Sequence, residues 1–212
     1  MQLLNLHKQY EYPVQLNSDG YRAPEWQDVN WGESILLFGT SQTFGVGCDF
    51  EHTVGHILEQ QLGVRKCIWL PRGVVDDDTD GHIDDTIRFV NEDTVLTVVE
   101  SNKNDENYSI LQDNLAQLKQ MRLLNGKQLN IVELPMPADV IYEDQMLPAS
   151  YANFYISNGH IIVPTFRCNK DDKAMQIIQS CFPTRQVVGI DSTDIIWGLG
   201  SFHCLSQQEP AI

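Results

Sequence analysis

Apolar and polar positions alternate in short blocks along the chain, and the blocks change period several times. Residues 1–34 show little periodicity and carry turn signals at Asp19-Gly20 and Ala23-Pro24, so irregular chain is expected there. Residues 34–38 form a short apolar run closed by Gly39, the profile of a buried strand. Val54, Ile57, Leu58 and Leu62 recur at helical spacing over 52–62, and Gly63 supplies a stop. A second buried strand is expected over 67–70, ended by Pro71. Strand-like residues follow at Ile87, Phe89 and Val90 and again over 94–99, with a break at 91–93. Over 107–124, Ile110, Leu111, Leu115, Leu118 and Leu123 lie on one stripe, predicting an amphipathic helix stopped by Asn125-Gly126. A strand is expected over 129–134, and a hairpin-like pair at 154–156 and 161–163 around Asn158-Gly159. A helix over 171–182, a strand over 186–190 and a glycine-punctuated tail complete the pattern.

From residue 67 onward the order is a strand, then twice a strand pair, a helix and a strand. That is an α/β chain with two ββαβ repeats. No low-complexity segment interrupts it.

Composition narrows the classes of function. The 212 residues hold 14 Lys+Arg against 29 Asp+Glu, a net charge of −15. Binding phosphates needs clustered cations, so neither a nucleic-acid partner nor an anionic membrane surface is expected. A small cationic ligand suits the sign of the charge. Hydrophobic residues make up 42%, enough for a real core. No apolar run is long enough to span a bilayer, and the N-terminal stretch lacks the layout of a secretory signal. The 5 cysteines (48, 67, 168, 181 and 204) are widely spread, without a CxxC pair or zinc-finger spacing. A cytoplasmic protein with free thiols is the expectation.

One of those thiols has unusual neighbours in the sequence. GLGSFHCLSQQEP, residues 198–210, sets Cys204 just after two glycines and a histidine. Glycines let a backbone approach a ligand closely. A thiol becomes a strong nucleophile as thiolate, which needs a base or a cation. TDGHIDD, residues 79–85, offers His82 among carboxylates at 80, 84 and 85. If 82–84 is extended, His82 and Asp84 point to one face. On spacing alone the competing reading stands: a small buried cysteine, a turn histidine and a solvated acidic loop.

From about residue 63 to its end, the chain resembles the agmatine deiminase family of the guanidine-modifying (pentein) superfamily. The strings that carry the resemblance are IWLPRG (68–73), DTDGHIDDTIRFV (78–90), LPASYANFYISNG (147–159), IIVPTF (161–166) and VVGIDSTDIIWGLGSFHCLSQQEP (187–210). The resemblance implies a partial propeller of ββαβ units. It implies Cys204 as nucleophile, His82 as general acid/base and Asp84 as the carboxylate facing a guanidinium, with Asp80 and Asn153 lining the site. The implied reaction is agmatine plus water to N-carbamoylputrescine and ammonia, a step toward putrescine, with no metal or organic cofactor. The implied partner is a small cationic guanidine, in a homo-oligomer where the fold needs completing.

The family also has a WxRDxGP-type motif, whose Asp makes a second guanidinium contact, and an EGG stretch. Neither string is present here. In their place, residues 34–63 resemble the opening strand, nucleophile turn and helix of SGNH (GDSL-type) hydrolases, with Gly39-Thr40-Ser41 where that family has Gly-Asp-Ser. The expected organisation is an N-terminal region over 1–62, irregular chain followed by strand-turn-helix, and an incomplete deiminase-like domain over 63–212. Two other readings compete with the amidine hydrolase. One is a binding or structural remnant without a complete cradle; the other is an esterase built on Ser41. Asp76-Asp77-Asp78 lacks the EF-hand ligand spacing, and His52 with His56 reads best as the polar face of a helix.

Overall fold

β-branched and aromatic residues bounded by polar turns make the strands, and leucines three and four apart make the first long helix. The computed structural model describes residues 34–36, 66–68, 70, 73–75, 81–123 and 125–207, with backbone alone for the first two segments. Ser41, Asp76-Asp77-Asp78, Asp80, His52, His56 and the expected helix over 52–62 lie outside them, as does nearly all of 1–34.

The chain divides into two compact units, Met1–Pro71 with Met121–Gln128, and Arg72–Gln120 with Leu129–Ile212. In the first, strand β1 (Ser34–Leu36) pairs in parallel with β2 (Lys66–Ile68). Residues 121–128 fold back as a tight turn, with Arg122 bridged to Gln128 and the Leu123 amide donating to the Lys127 carbonyl.

The second unit contains two three-stranded sheets of the same design. β3 (Ile87–Phe89) runs antiparallel to β4 (Thr94–Val99), helix α1 (Glu106–Gln120) crosses over, and β5 (Asn130–Pro135) returns parallel to β4. β8 (Tyr155–Ile156), β9 (His160–Thr165), α2 (Asp171–Cys181) and β10 (Gln186–Asp191) repeat the order, β8 antiparallel and β10 parallel to β9. Both expected ββαβ units are therefore present, each in its own sheet.

A single core serves both repeats. Leu96 and Val98 of β4, Leu111 of α1 and Leu134 of β5 join Ile161 and Val163 of β9, Ala174 and Ile178 of α2, and Tyr151 and Phe154. Helix α2 packs on β10 and also on β5, so the second repeat closes over the first. Burying about ten such side chains, at about 1.5–3 kcal/mol each, is what opposes the conformational entropy of this unit.

Three local expectations change. Helix α1 ends at Gln120, not at 124, because Gly126 (φ 75) serves the turn that follows and its amide bonds back to the Leu123 carbonyl. An unexpected hairpin, β6 (Val140–Tyr142) with β7 (Gln145–Leu147), sits between the repeats. Its turn residues Glu143 and Asp144 both hold positive φ, of 47° and 66°, with no glycine to signal it. The third change concerns the site.

Candidate active site

Residues 82–84 are not extended. Ile83–Asp85 forms one turn of 3-10 helix with His82 at its N-cap (φ −57°, ψ 132°). The Asp85 amide bonds the His82 carbonyl, and the Thr86 amide and hydroxyl both bond the Ile83 carbonyl. Strand alternation is thus not what aligns His82 with Asp84; the tight turn does it. Two glycines set its approach. The Gly81 Cα occupies the space where a Cβ on Gly73 would stand, and Gly81 itself holds φ +87°, a conformation that disfavours side chains.

Opposite this turn, a 3-10 segment Ile196–Gly198 ends on Leu199 in the left-handed region (φ 61°). The chain then loops through Ser201 to Cys204. A Cβ on Gly200 would lie 2.5 Å from the Cys204 Cβ and 2.9 Å from its sulfur, so the thiol fills the space that glycine leaves.

Asn153 joins the two loops. Its fully buried side-chain oxygen accepts from the amides of Ser201 (3.1 Å), His203 (3.1 Å) and Cys204 (3.2 Å) and from the Ser201 hydroxyl (3.0 Å). Its nitrogen donates to Asp84 Oδ2 (3.0 Å), Asp85 Oδ1 (2.8 Å) and the Cys204 sulfur (2.9 Å). Arg88 braces this residue from behind. Its guanidinium donates to the carbonyls on either side of it, Ala152 (3.1 Å) and Phe154 (2.8 Å), and lies over the Phe154 ring. The Ser150 hydroxyl ties the same segment to the Asp85 carbonyl at 2.7 Å.

The chemistry-bearing atoms converge. One nitrogen of His82, a carboxylate oxygen of Asp84 and the Cys204 sulfur all lie within 4.8 Å of one another. The thiol donates to Asp84 Oδ2 at 3.1 Å, and His203 Nδ1 contacts the same oxygen at 2.6 Å. Burial works to raise the Asp84 pKa, yet the hydrogen bonds from His203 and Cys204 and the charge of His203 outweigh it and hold the carboxyl at about 2. Burial pushes the Cys204 thiol up, and hydrogen bonding and repulsion from Asp84, with the charge of Asp85, push it further, to about 12; only the Asn153 bond opposes them. The site thus sets a protonated thiol beside an ionised carboxylate. That arrangement suits a cation, which would neutralise Asp84 and release the thiol proton to a base.

Four residues singled out in the sequence, Cys204, His82, Asp84 and Asn153, are thus brought together, although they come from three distant segments. Asp80 lies outside the described residues. Three members were not anticipated as site residues: His203, Asp85 and Ser201. His203 did carry a signal, since it directly precedes Cys204 in the turn after Gly200.

Comparison with known proteins gives the same direction. The model of the Porphyromonas-type peptidyl-arginine deiminase family matches residues 50–210. An agmatine deiminase of Medicago truncatula is 38% identical over an alignment of 176 residues, covering 73% of this chain and 47% of the relative. The solved agmatine deiminase of Enterococcus faecalis superposes with a TM-score of 0.73 at 26% identity, covering 86% of this chain and 55% of that one. A C. jejuni agmatine deiminase solved with substrate bound gives 0.69 at 28% identity, covering 79% and 50%. The chain spans about half the length of the relatives it matches. With well over half of its residues matched, the chain belongs to the Porphyromonas-type peptidyl-arginine deiminase family, alongside the agmatine deiminases it resembles.

Proposed function

We propose that this chain carries the nucleophilic half of an amidine hydrolase site, acting on agmatine to give N-carbamoylputrescine and ammonia. The observation that carries the reading is the convergence of the Cys204 sulfur, His82 and Asp84 on one point, braced by Asn153. The agmatine deiminases among the relatives and solved neighbours supply the substrate.

A guanidinium is a stabilised cation and a poor electrophile, so a carboxylate must hold it in line and localise its charge. Asp84 fills that role. The bound cation offsets the charge that keeps Cys204 protonated, and His82 takes the thiol proton. The thiolate attacks the central carbon, and His82 returns the proton to the nitrogen that leaves as ammonia. A covalent thiouronium remains on Cys204. His82 then deprotonates a water, which adds to the same carbon; the carbon–sulfur bond breaks, the thiol is restored and the ureido product departs. The reaction uses side chains and water alone.

In this reading residues 63–212 form the deiminase-like part and 1–62 a separate N-terminal region, in a protein of the cytoplasm, where the thiol stays reduced. Agmatine incubated with the chain in molar excess tests it. N-carbamoylputrescine should form with wild type and not with Cys204→Ala. Its absence with wild type, or equal formation by both proteins, would overturn the reading.

A further inference from the structure

We propose that His82, Asp84 and Cys204 also form a site for a borderline-soft divalent cation such as Zn²⁺, bound in place of the cationic substrate. The blocking role rests on the deiminase reading; the binding of the ion does not.

The donor set is the first argument. A thiolate, an imidazole and a carboxylate are the ligand types that zinc takes, at about 2.0–2.3 Å each. Tetrahedral geometry at those lengths sets donors about 3.3–3.8 Å apart. Here the three donor atoms already lie within 4.8 Å of one another. Closure therefore asks for movements of about an ångström from His82 and Cys204, both of them exposed. Three protein ligands leave a fourth position for water, the layout of open zinc sites.

The surroundings are the second argument. Asn153 donates to Asp84 Oδ2 and to the Cys204 sulfur, and His203 contacts the same Asp84 oxygen. Such outer hydrogen bonds orient ligands and strengthen metal sites. The ion would replace the thiol proton: the S–H bond breaks, a sulfur–metal bond forms and the proton passes to solvent. The charge it places beside Asp84 has the sign of a guanidinium, so the two ligands exclude each other.

Cobalt(II) is the probe, because its bond to a thiolate gives a near-ultraviolet charge-transfer band. Titrating the full chain with Co²⁺ should raise that band, and Zn²⁺ should bleach it, following the order of metal affinities. Cys204→Ser should lose the band, His82→Asn should weaken Co²⁺ binding at least about 10-fold, and His203→Ala should weaken it about 10–100-fold. Cys168→Ser and Cys181→Ser should retain it. Absence of the band, or its persistence in Cys204→Ser, would overturn the site. Alkylation of Cys204 by 2-chloroacetamidine reads the deiminase chemistry separately, and Zn²⁺ should suppress it. Alkylation without a cobalt band overturns the metal site and leaves the deiminase reading intact; the band without alkylation does the reverse.

Discussion

At the residue scale the site turns on what Asn153 and Asp84 do for Cys204. The Asn153 oxygen holds three backbone amides of the cysteine loop, which are left without that acceptor when the side chain is removed. Asn153→Ala should cost about 2–4 kcal/mol in chemical denaturation, since each buried, unmet donor costs about 1–3 kcal/mol. Asp84 has a signature in pH. Its folded value of about 2 lies below the ordinary 3.8, so the stability it contributes is full above pH 4 and lost as pH falls toward 2. The difference corresponds to about 2 kcal/mol, which acid titration of wild type against Asp84→Asn should reveal as a smaller loss in the variant. The thiol predicts an opposite pair of effects. Alkylation of Cys204 by neutral iodoacetamide should keep rising well above pH 9, because the thiol ionises only near 12. Asp84→Asn removes a carboxylate that raises that value, so it should speed the neutral reagent while slowing a cationic one. Equal changes for both reagents would contradict this account of the thiol.

At the scale of elements, two loops and a brace present these groups. A methyl at position 200 has nowhere to go except into Cys204. Gly200→Ala should therefore abolish amidine alkylation, and because Gly200 and Ser201 are buried it should lower the thermal midpoint as well. Arg88 acts differently: it spans from β3 to the carbonyls around Asn153, and burial lowers its pKa while Asp84 and Asp85 favour its charge. Arg88→Ala should destabilise the unit by about 2–4 kcal/mol, with Lys recovering only part, since an ammonium lacks the planar guanidinium that lies over the Phe154 ring. The repeats were legible in the sequence because Val95, Leu96 and Val98, and Leu111, Leu115 and Leu118, follow strand and helix patterns that local periodicity exposes. The β6–β7 hairpin was not, because its turn uses Glu143 and Asp144 at positive φ. Cys204, His82, Asp84 and Asn153 were found by motif resemblance. The partnership of His203 with Asp84 spans 119 positions and depends on a 3-10 turn where alternation suggested a strand.

On the scale of the whole molecule, two ββαβ repeats share one core and bring His82, Asp84 and Cys204 together, in a chain that spans about half the length of the relatives it matches. The WxRDxGP-type string, which would carry the second guanidinium contact, is not in the sequence. Steady-state agmatine turnover by this chain should then be lower than that of a complete deiminase by about 10²–10³-fold, the usual cost of one well-placed electrostatic contact. Near-equal rates would mean that another carboxylate supplies it. Ile141 and Trp197 are exposed, with Tyr142 partly so and packed against Trp197. Among the described residues, no helix is long and apolar enough to cross a membrane.

The central claim is that Cys204 is a nucleophile held ready for a cationic amidine carbon, and paired alkylation tests it most directly. Peptide mass mapping would follow 2-chloroacetamidine and its neutral amide counterpart on wild type, His82→Asn and Asp84→Asn. The account predicts that near pH 7 the cationic reagent modifies Cys204 at least about 100-fold faster than the neutral one, a difference of about 2.7 kcal/mol in barrier. It also predicts that other cysteines show no such preference, and that either substitution removes most of it. Equal rates for the two reagents at Cys204, or a preference that survives Asp84→Asn, would contradict it.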